Sequence, residues 1–239
     1  MSDVFYGWVI VACAFIVLFL PYGVQYSFGI FIPPMVADLG WSRASLGAAF
    51  SLYGTVYMAF TMFIGKLTDD YGPRRVITAG GLLLGCGIMA TSAVREPWQI
   101  YVSYGCIAAL GMSTAYLPCN MTVVRWFIKR RGLALGLSSS GSSCGILITP
   151  LLVMFATDFS GLRNAMFICG LVLLVVTLLA ARFMRGNPSD MGLTPDGVAL
   201  PTDGPENDAL QRSSWAFAQA KFTATFWIFV IGFALALLT

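Results

Sequence analysis

The chain contains no histidine, and only 10% of its 239 residues are charged, against about 25% in an ordinary soluble domain. The missing histidine excludes a Ser–His dyad, an HExxH zinc site and a histidine proton relay from these residues. Phosphate cradles of the GxGxxG and GxxxxGK(S/T) types are absent as well, and the serines of GLSSSGSSCG (136–145) have no general base within reach. Neither enzymatic chemistry nor a cofactor is expected. Cysteine is sparse and badly placed for oxidation or metal binding: Cys13, Cys86, Cys106, Cys119, Cys144 and Cys169 all sit inside apolar runs without a CxxC pair. They read as small packing residues rather than a disulfide framework or a metal site. The start, MSDVFYGW, lacks the positive side chain of a cleavable signal peptide, so the first apolar run is expected to be retained.

Apolar residues, in contrast, make up 58% of the chain. They are gathered into runs long enough to cross a hydrocarbon core of about 30 Å at about 1.5 Å per helical residue. The expected architecture is an all-α polytopic membrane protein. Its spans are placed near 8–33, 44–66, 76–94, 98–127, 132–156 and 162–183, with a seventh beginning near 223. The seventh run, FVIGFALALLT, reaches Thr239 without a polar flank and reads as truncated, so the chain is expected to be a fragment of a longer protein. Lys66, Arg74, Arg75, Arg125, Lys129, Arg130, Arg131, Arg182, Arg185, Arg212 and Lys221 fall on one side of such a membrane, and only Arg43, Arg95 and Arg163 on the other. The positive-inside rule then puts the N-terminus in the cytoplasm of a plasma or bacterial inner membrane.

Three domains follow: a six-helix bundle (1–185), a cytoplasmic linker rich in Pro, Gly, Asp and Ser (186–222), and the start of the seventh helix (223–239). Inside the bundle TDDYGPRR (68–75) is echoed by TDFSGLRN (157–164), three spans later and on the opposite face, as an inverted repeat requires. Gly132, Gly136, Gly141 and Gly145 are spaced for close helix packing, with Ser139, Ser140 and Ser143 as candidates for a polar path. Tyr22, Gln25 and Tyr26 share one face after Pro21; Ser113, Tyr116 and Asn120 do the same beside Pro118. These two stripes fit either a solute site near the bilayer midplane or plain interhelical hydrogen bonding, and Tyr53 and Tyr57 could join either arrangement. No Asp, Glu, Lys or Arg stands in the centre of the six spans, where each would cost roughly 2.5–3.5 kcal/mol. Any charged group that binds an anion or carries a proton is therefore expected beyond Thr239.

The segment GKLTDDYGPRR (65–75) places five charged side chains between two apolar runs. Gly65, Leu67, Asp69, Gly72, Arg74 and Arg75 resemble the loop signature of the major facilitator superfamily, with Asp70 where a basic residue is usual. GLRNAMF resembles the start of that family's sixth helix, with Leu162 in place of the usual Trp. YGWVIVACAF, LGWSRASLGAAFS, VRWFIKRRGLALGLSSSGSSCG and NPSDMGLTPDG are similar to the monocarboxylate transporter and oxalate/formate exchanger branch. The resemblance implies the N-terminal half of a twelve-helix fold, a C-terminal half as partner, and secondary transport of a small organic anion by alternating access. It implies no nucleic-acid partner. Tyr22, Gln25, Tyr26, Tyr116 and Asn120 would donate hydrogen bonds to the substrate's carboxylate. Gly65, Asp69, Gly72, Arg74 and Arg75 would form the gating motif, Asp69 accepting from a helix N-terminus of the other half. Some proton-linked relatives carry a lysine near the position of Tyr26; its absence here favours anion exchange or another solute. An efflux carrier for a neutral or drug-like solute, or a non-transporting sensor, is the alternative.

Overall fold

The computed structural model describes residues 5–197; the expected seventh span and most of the expected linker lie outside the described residues. Six helices are long and apolar enough to cross a membrane: α1 (Tyr6–Leu39), α2 (Arg43–Tyr71), α3 (Pro73–Ser92), α4 (Pro97–Trp126), α5 (Arg131–Ser160) and α6 (Leu162–Phe183). The protein is a multi-pass, all-α membrane protein. α1, α2 and α5 run several residues past the ends expected from hydropathy, because helical hydrogen bonding continues after the apolar stretch ends and stops only at a capping signal. For α1 that signal is Gly40, left-handed at φ 67°, and the following helix is capped by Ser42, whose hydroxyl accepts the Ser45 N–H at 3.1 Å.

The repeat anticipated from TDDYGPRR and TDFSGLRN is carried into geometry. Each segment turns the chain between helices with a single residue, Gly72 (φ 82°, ψ 152°) and Gly161 (φ 79°, ψ 162°), a conformation costly for any residue with a Cβ. The Gly72 N–H donates to Thr68 O at 3.0 Å and the Gly161 N–H to Thr157 O at 2.9 Å. Thr68 and Thr157 in turn donate their hydroxyls to the carbonyl four residues earlier.

Two helices are interrupted. α1 breaks at Ser27, downstream of Pro21, where the Ser27 hydroxyl donates to Gly23 O at 2.7 Å. α4 contains a wide turn over Tyr101–Ala108 and breaks again at Thr114–Ala115, just ahead of Pro118, which has no N–H to return to the Thr114 carbonyl. In the wide turn Gly105 comes so near Leu52 of α2 that an added Cβ would lie 2.9 Å from that side chain. Tyr101 donates to the Ser45 carbonyl of α2 at 3.1 Å.

Helix pairing rests on glycine. α1 and α5 meet where Gly141 and Gly145 lie against the carbonyls of Phe15 and Phe19, and Gly23 against Thr149 and the Gly145 carbonyl. α3 and α6 meet at Gly85 and Gly170, each of which an added Cβ would bring about 3 Å from the other's carbonyl (3.1 and 3.0 Å). Gly132 and Gly136, expected to pack in the same way as Gly141 and Gly145, face open space instead, since at about 100° per residue they lie roughly 140–180° round α5 from Gly141, away from the face that meets α1. α4 is the most enclosed helix, with 61% of its most apolar stretch buried in the bundle; α2 and α5 bury only 17% of theirs. The outer faces of α2 and α5 thus carry exposed side chains such as Met62, Phe63, Leu147 and Phe155.

Replacing Gly145 by Ala gains up to about 1 kcal/mol of helix propensity but forces a methyl onto the Phe19 carbonyl, an overpacking cost of roughly 1–3 kcal/mol. The Gly145→Ala and Gly141→Ala variants are therefore expected to melt earlier in detergent, and Gly136→Ala to melt at or above the parent temperature. A thermal shift with equal stability of all three would show that this glycine seam is not needed.

Candidate functional site

A run of uncharged polar groups crosses the bundle from α2 to α5. The Tyr22 hydroxyl of α1 lies 3.3 Å from the Tyr57 hydroxyl of α2, and the Tyr22 ring meets that of Tyr116 in α4 edge to face, centroids 6.3 Å apart. One turn along α4, Asn120 accepts the Ser139 hydroxyl of α5 at a long 3.5 Å. Tyr116 and Asn120 share a face by their four-residue spacing, which sets the Tyr22–Tyr57 pair and the Asn120–Ser139 pair along one side of α4. Tyr116 is 43% exposed and Tyr26 54% exposed, which leaves this surface open along one flank. Gln25, on the same face of α1, has its amide oxygen shielded from solvent with no protein donor. An unpaired buried acceptor costs about 1–3 kcal/mol, which a donor from a solute or water would recover.

The structure thus sets Tyr22, Tyr116 and Asn120 of the expected site residues beside Tyr57, which was expected to join the stripes, and Ser139, a candidate for the polar path. It does not bring in Ser113, which is buried and donates to Leu110 O at 2.7 Å within its own helix. Tyr53 is also withdrawn from the polar face. Its ring stacks between Phe50 and Tyr104 (centroids 6.2 and 4.7 Å), and Tyr104 stacks on Phe28 at 4.2 Å, forming an aromatic column that joins α1, α2 and α4. Ser140 turns to an apolar hollow beside Trp8 and Phe15, with its hydroxyl on Leu137 O. No group of three or more His, Cys, Asp or Glu residues able to hold a metal occurs among the described residues.

The charged segment 65–75 closes α2 at the end of the bundle where α4 also finishes. Asp69 forms an ion pair with Arg125, Oδ1 to guanidinium nitrogen 2.8 Å, with the two side chains 57% and 33% exposed. The partner of Arg125 lies 56 residues away in the chain, and no local spacing signals the pair. Arg74 and Arg75 are exposed on the first turn of α3, Gly72 supplies the positive-φ turn, and Gly65 sits where an added Cβ would touch Leu117 of α4 at 3.4 Å. The next residue after Arg125 ties in a third helix, as the Trp126 indole N–H donates to Arg185 O at 2.9 Å beyond the end of α6.

Known transporters resemble this chain in sequence. Mouse (Mus musculus) monocarboxylate transporter 11 is 29% identical over 194 residues, covering 80% of this chain and 43% of the relative. Human (Homo sapiens) monocarboxylate transporter 14 is 31% identical over 192 residues, 78% of this chain and 38% of the relative. The MFS-type transporter 1 of Ophiocordyceps sp. (strain BCC 1869) is 31% identical over 178 residues, 74% and 40% respectively. The chain spans about two fifths of the length of these curated relatives. The family model of the Major Facilitator Superfamily matches residues 14–239, a stretch that takes in the polar surface of α1, α2, α4 and α5 as well as the charged turn between α2 and α3. This chain belongs to the Major Facilitator Superfamily.

Proposed function

We propose that the polar surface formed by Tyr22, Tyr57, Tyr116, Asn120 and Ser139 is one wall of the solute path of a secondary transporter. The transporter moves small organic anions, mono- or dicarboxylates, by alternating access across a plasma or bacterial inner membrane. The observation that carries this reading is the set of hydroxyl and amide contacts drawn from four helices, with the Gln25 amide oxygen buried and without a protein donor. Hydroxyls of tyrosine and the side-chain amides of Gln25 and Asn120 can donate to carboxylate oxygens; Tyr26, exposed on the same flank, stands where it can do so from the rim. The names of the relatives in mouse and human support a monocarboxylate as the solute class.

The wall carries no formal charge, so it orients an anion without neutralising it. Neutralisation falls to a facing half of the same chain, beyond the described residues. A charge-free wall equally suits a neutral or drug-like solute moved outward, and this is the second reading. Asp69, Arg125, Arg74 and Arg75 would lie on the cytoplasmic side with the N-terminus, as the eleven-to-three distribution of basic residues supports. There the exposed pair Asp69–Arg125 serves as a latch. Worth about 0–1 kcal/mol in such a setting, it is weak enough to break and re-form between states.

Three outcomes test the proposal in the full-length protein. Counterflow in proteoliposomes loaded with oxalate, formate, lactate or pyruvate is expected to accumulate labelled anion without a pH gradient; folded protein showing no counterflow with any of them would turn the reading to the neutral-solute carrier or to a sensor. Tyr22→Phe, Gln25→Ala and Asn120→Ala are each expected to raise the half-saturation concentration about three- to tenfold, the equivalent of one lost hydrogen bond of about 0.5–1.5 kcal/mol. Unchanged affinity in all three would remove the wall. Asp69→Asn is expected to leave thermal stability within about 0.5 kcal/mol while shifting the reactivity of reporter cysteines placed on the two membrane sides; equal reactivity would remove the latch.

A further inference from the structure

Asp196 is the single non-glycine with positive φ among the described residues, at φ 57°. It follows Pro195 in the stretch expected to be an irregular linker, whose first residues instead form short turns over Pro188–Met191 and Pro195–Gly197. Aspartate is one of the few side-chain-bearing residues that enters the left-handed region without great cost, because its short carboxylate can satisfy nearby backbone groups. Here the carboxylate reaches across the fold. Oδ2 accepts the N–H of Ile128 at 2.9 Å and the N–H of Lys129 at 2.6 Å, two successive amides in the four-residue connection between α4 and α5. Successive N–H groups converging on one oxygen make a small anion-binding concavity. Lys129, Arg130 and Arg131 follow one another there, so the local charge favours a carboxylate. The other oxygen, Oδ1, is shielded from solvent. Phe5, Trp8, Phe127, Lys129 and Arg130 line, with Asp196, a hollow of about 280 Å³ at this end of the bundle.

We propose that Asp196 is an intramolecular latch that holds the beginning of the linker on the α4–α5 connection by filling its two-amide nest. The latch links the linker to the parts of the bundle most involved in the polar wall. Residues 127–130 join the two helices that carry Asn120 and Ser139, and Phe127 packs edge to face on both Phe5 (5.6 Å) and Trp8 (5.1 Å) at the start of α1. Any tilt of α5 relative to α4 bends the nest and loads or releases the linker; conversely, a linker drawn away frees the two amides beside cations that are already exposed. The latch requires no assumption about the solute, so it stands or falls apart from the transport reading.

Hydrogen–deuterium exchange of the full-length protein in nanodiscs reads the latch directly at the amides of Ile128 and Lys129. Asp196→Ala and Asp196→Gly are expected to speed exchange at these two amides about tenfold or more, as loss of a charged acceptor implies. Asp196→Asn keeps one oxygen and the left-handed preference, and is expected to fall between them and the parent. Asp190→Ala breaks a different side-chain bond of the same segment, the Asn187 N–H to Asp190 Oδ2 at 3.2 Å, and is expected to leave Ile128 and Lys129 unchanged. Glycine accepts the φ of Asp196 without strain, so Asp196→Gly separates loss of the carboxylate from backbone effects. Parent-like exchange at both amides in Asp196→Gly, or equal acceleration in Asp190→Ala, would overturn the latch.

Discussion

Backbone-to-backbone contact through glycine is the constraint on which the bundle depends. In lipid the apolar side chains of one helix gain little by leaving the bilayer for another helix, so association must come from close packing and polar contacts. The sequence answers with Gly141 and Gly145 against the carbonyls of Phe15 and Phe19, and with Gly85 against Gly170. These two seams bind α1 to α5 and α3 to α6. α4, the most buried helix, is then enclosed, and α2 is held mainly by aromatic stacking of Tyr53 and Phe50 with Tyr104 and Phe28. This arrangement also sets Tyr22 beside Tyr57 and Asn120 beside Ser139, joining α1 to α2 and α4 to α5 through polar contacts.

Seven consecutive residues at the end of α4 and the start of α5 concentrate the remaining ties. Arg125 reaches α2 through Asp69, Trp126 reaches the end of α6 through Arg185, and Phe127 meets Phe5 and Trp8 before α1 is fully under way. Arg131 returns its guanidinium to the Phe127 carbonyl at 3.2 Å, folding the connection on itself. One ion pair, one indole hydrogen bond and one pair of aromatic contacts thus tie α4 to α2, α6 and α1 at this end.

Much of this was legible in the residues alone. The six spans, the single-residue connections hinted at by the repeated Thr–x–x–x–Gly, and the common face of Tyr22 and Gln25 all follow from local periodicity and glycine chemistry, which act over a few residues. The helix ends were less legible, since hydropathy reports where lipid ends and a helix stops only at a cap such as Gly40 or Gly72. What stayed hidden was long-range pairing. Asp69 meets Arg125 and Asp196 meets Ile128 across 56 and 68 residues, and no spacing rule encodes such distances. Ser113 misled for a related reason: helical phase alone does not tell whether a hydroxyl turns outward or bonds back to its own backbone. Gly132 and Gly136 likewise had the right spacing without a neighbouring helix to receive them.

The single-residue connections at Gly72 and Gly161 have a mechanical consequence. Between α2 and α3, and again between α5 and α6, the two dihedral angles of one glycine are all the slack available, and in both places they are already committed to capping the next helix. These pairs therefore behave as stiff elbows at opposite ends of the bundle. Larger motion has to be taken up by the three- and four-residue joints at 40–42, 93–96 and 127–130, or by the interruptions inside α1 and α4. Compliance between the described helices is thus left to those three joints and to the interruptions of the first and fourth helices, the two that also bear Tyr22 and Asn120.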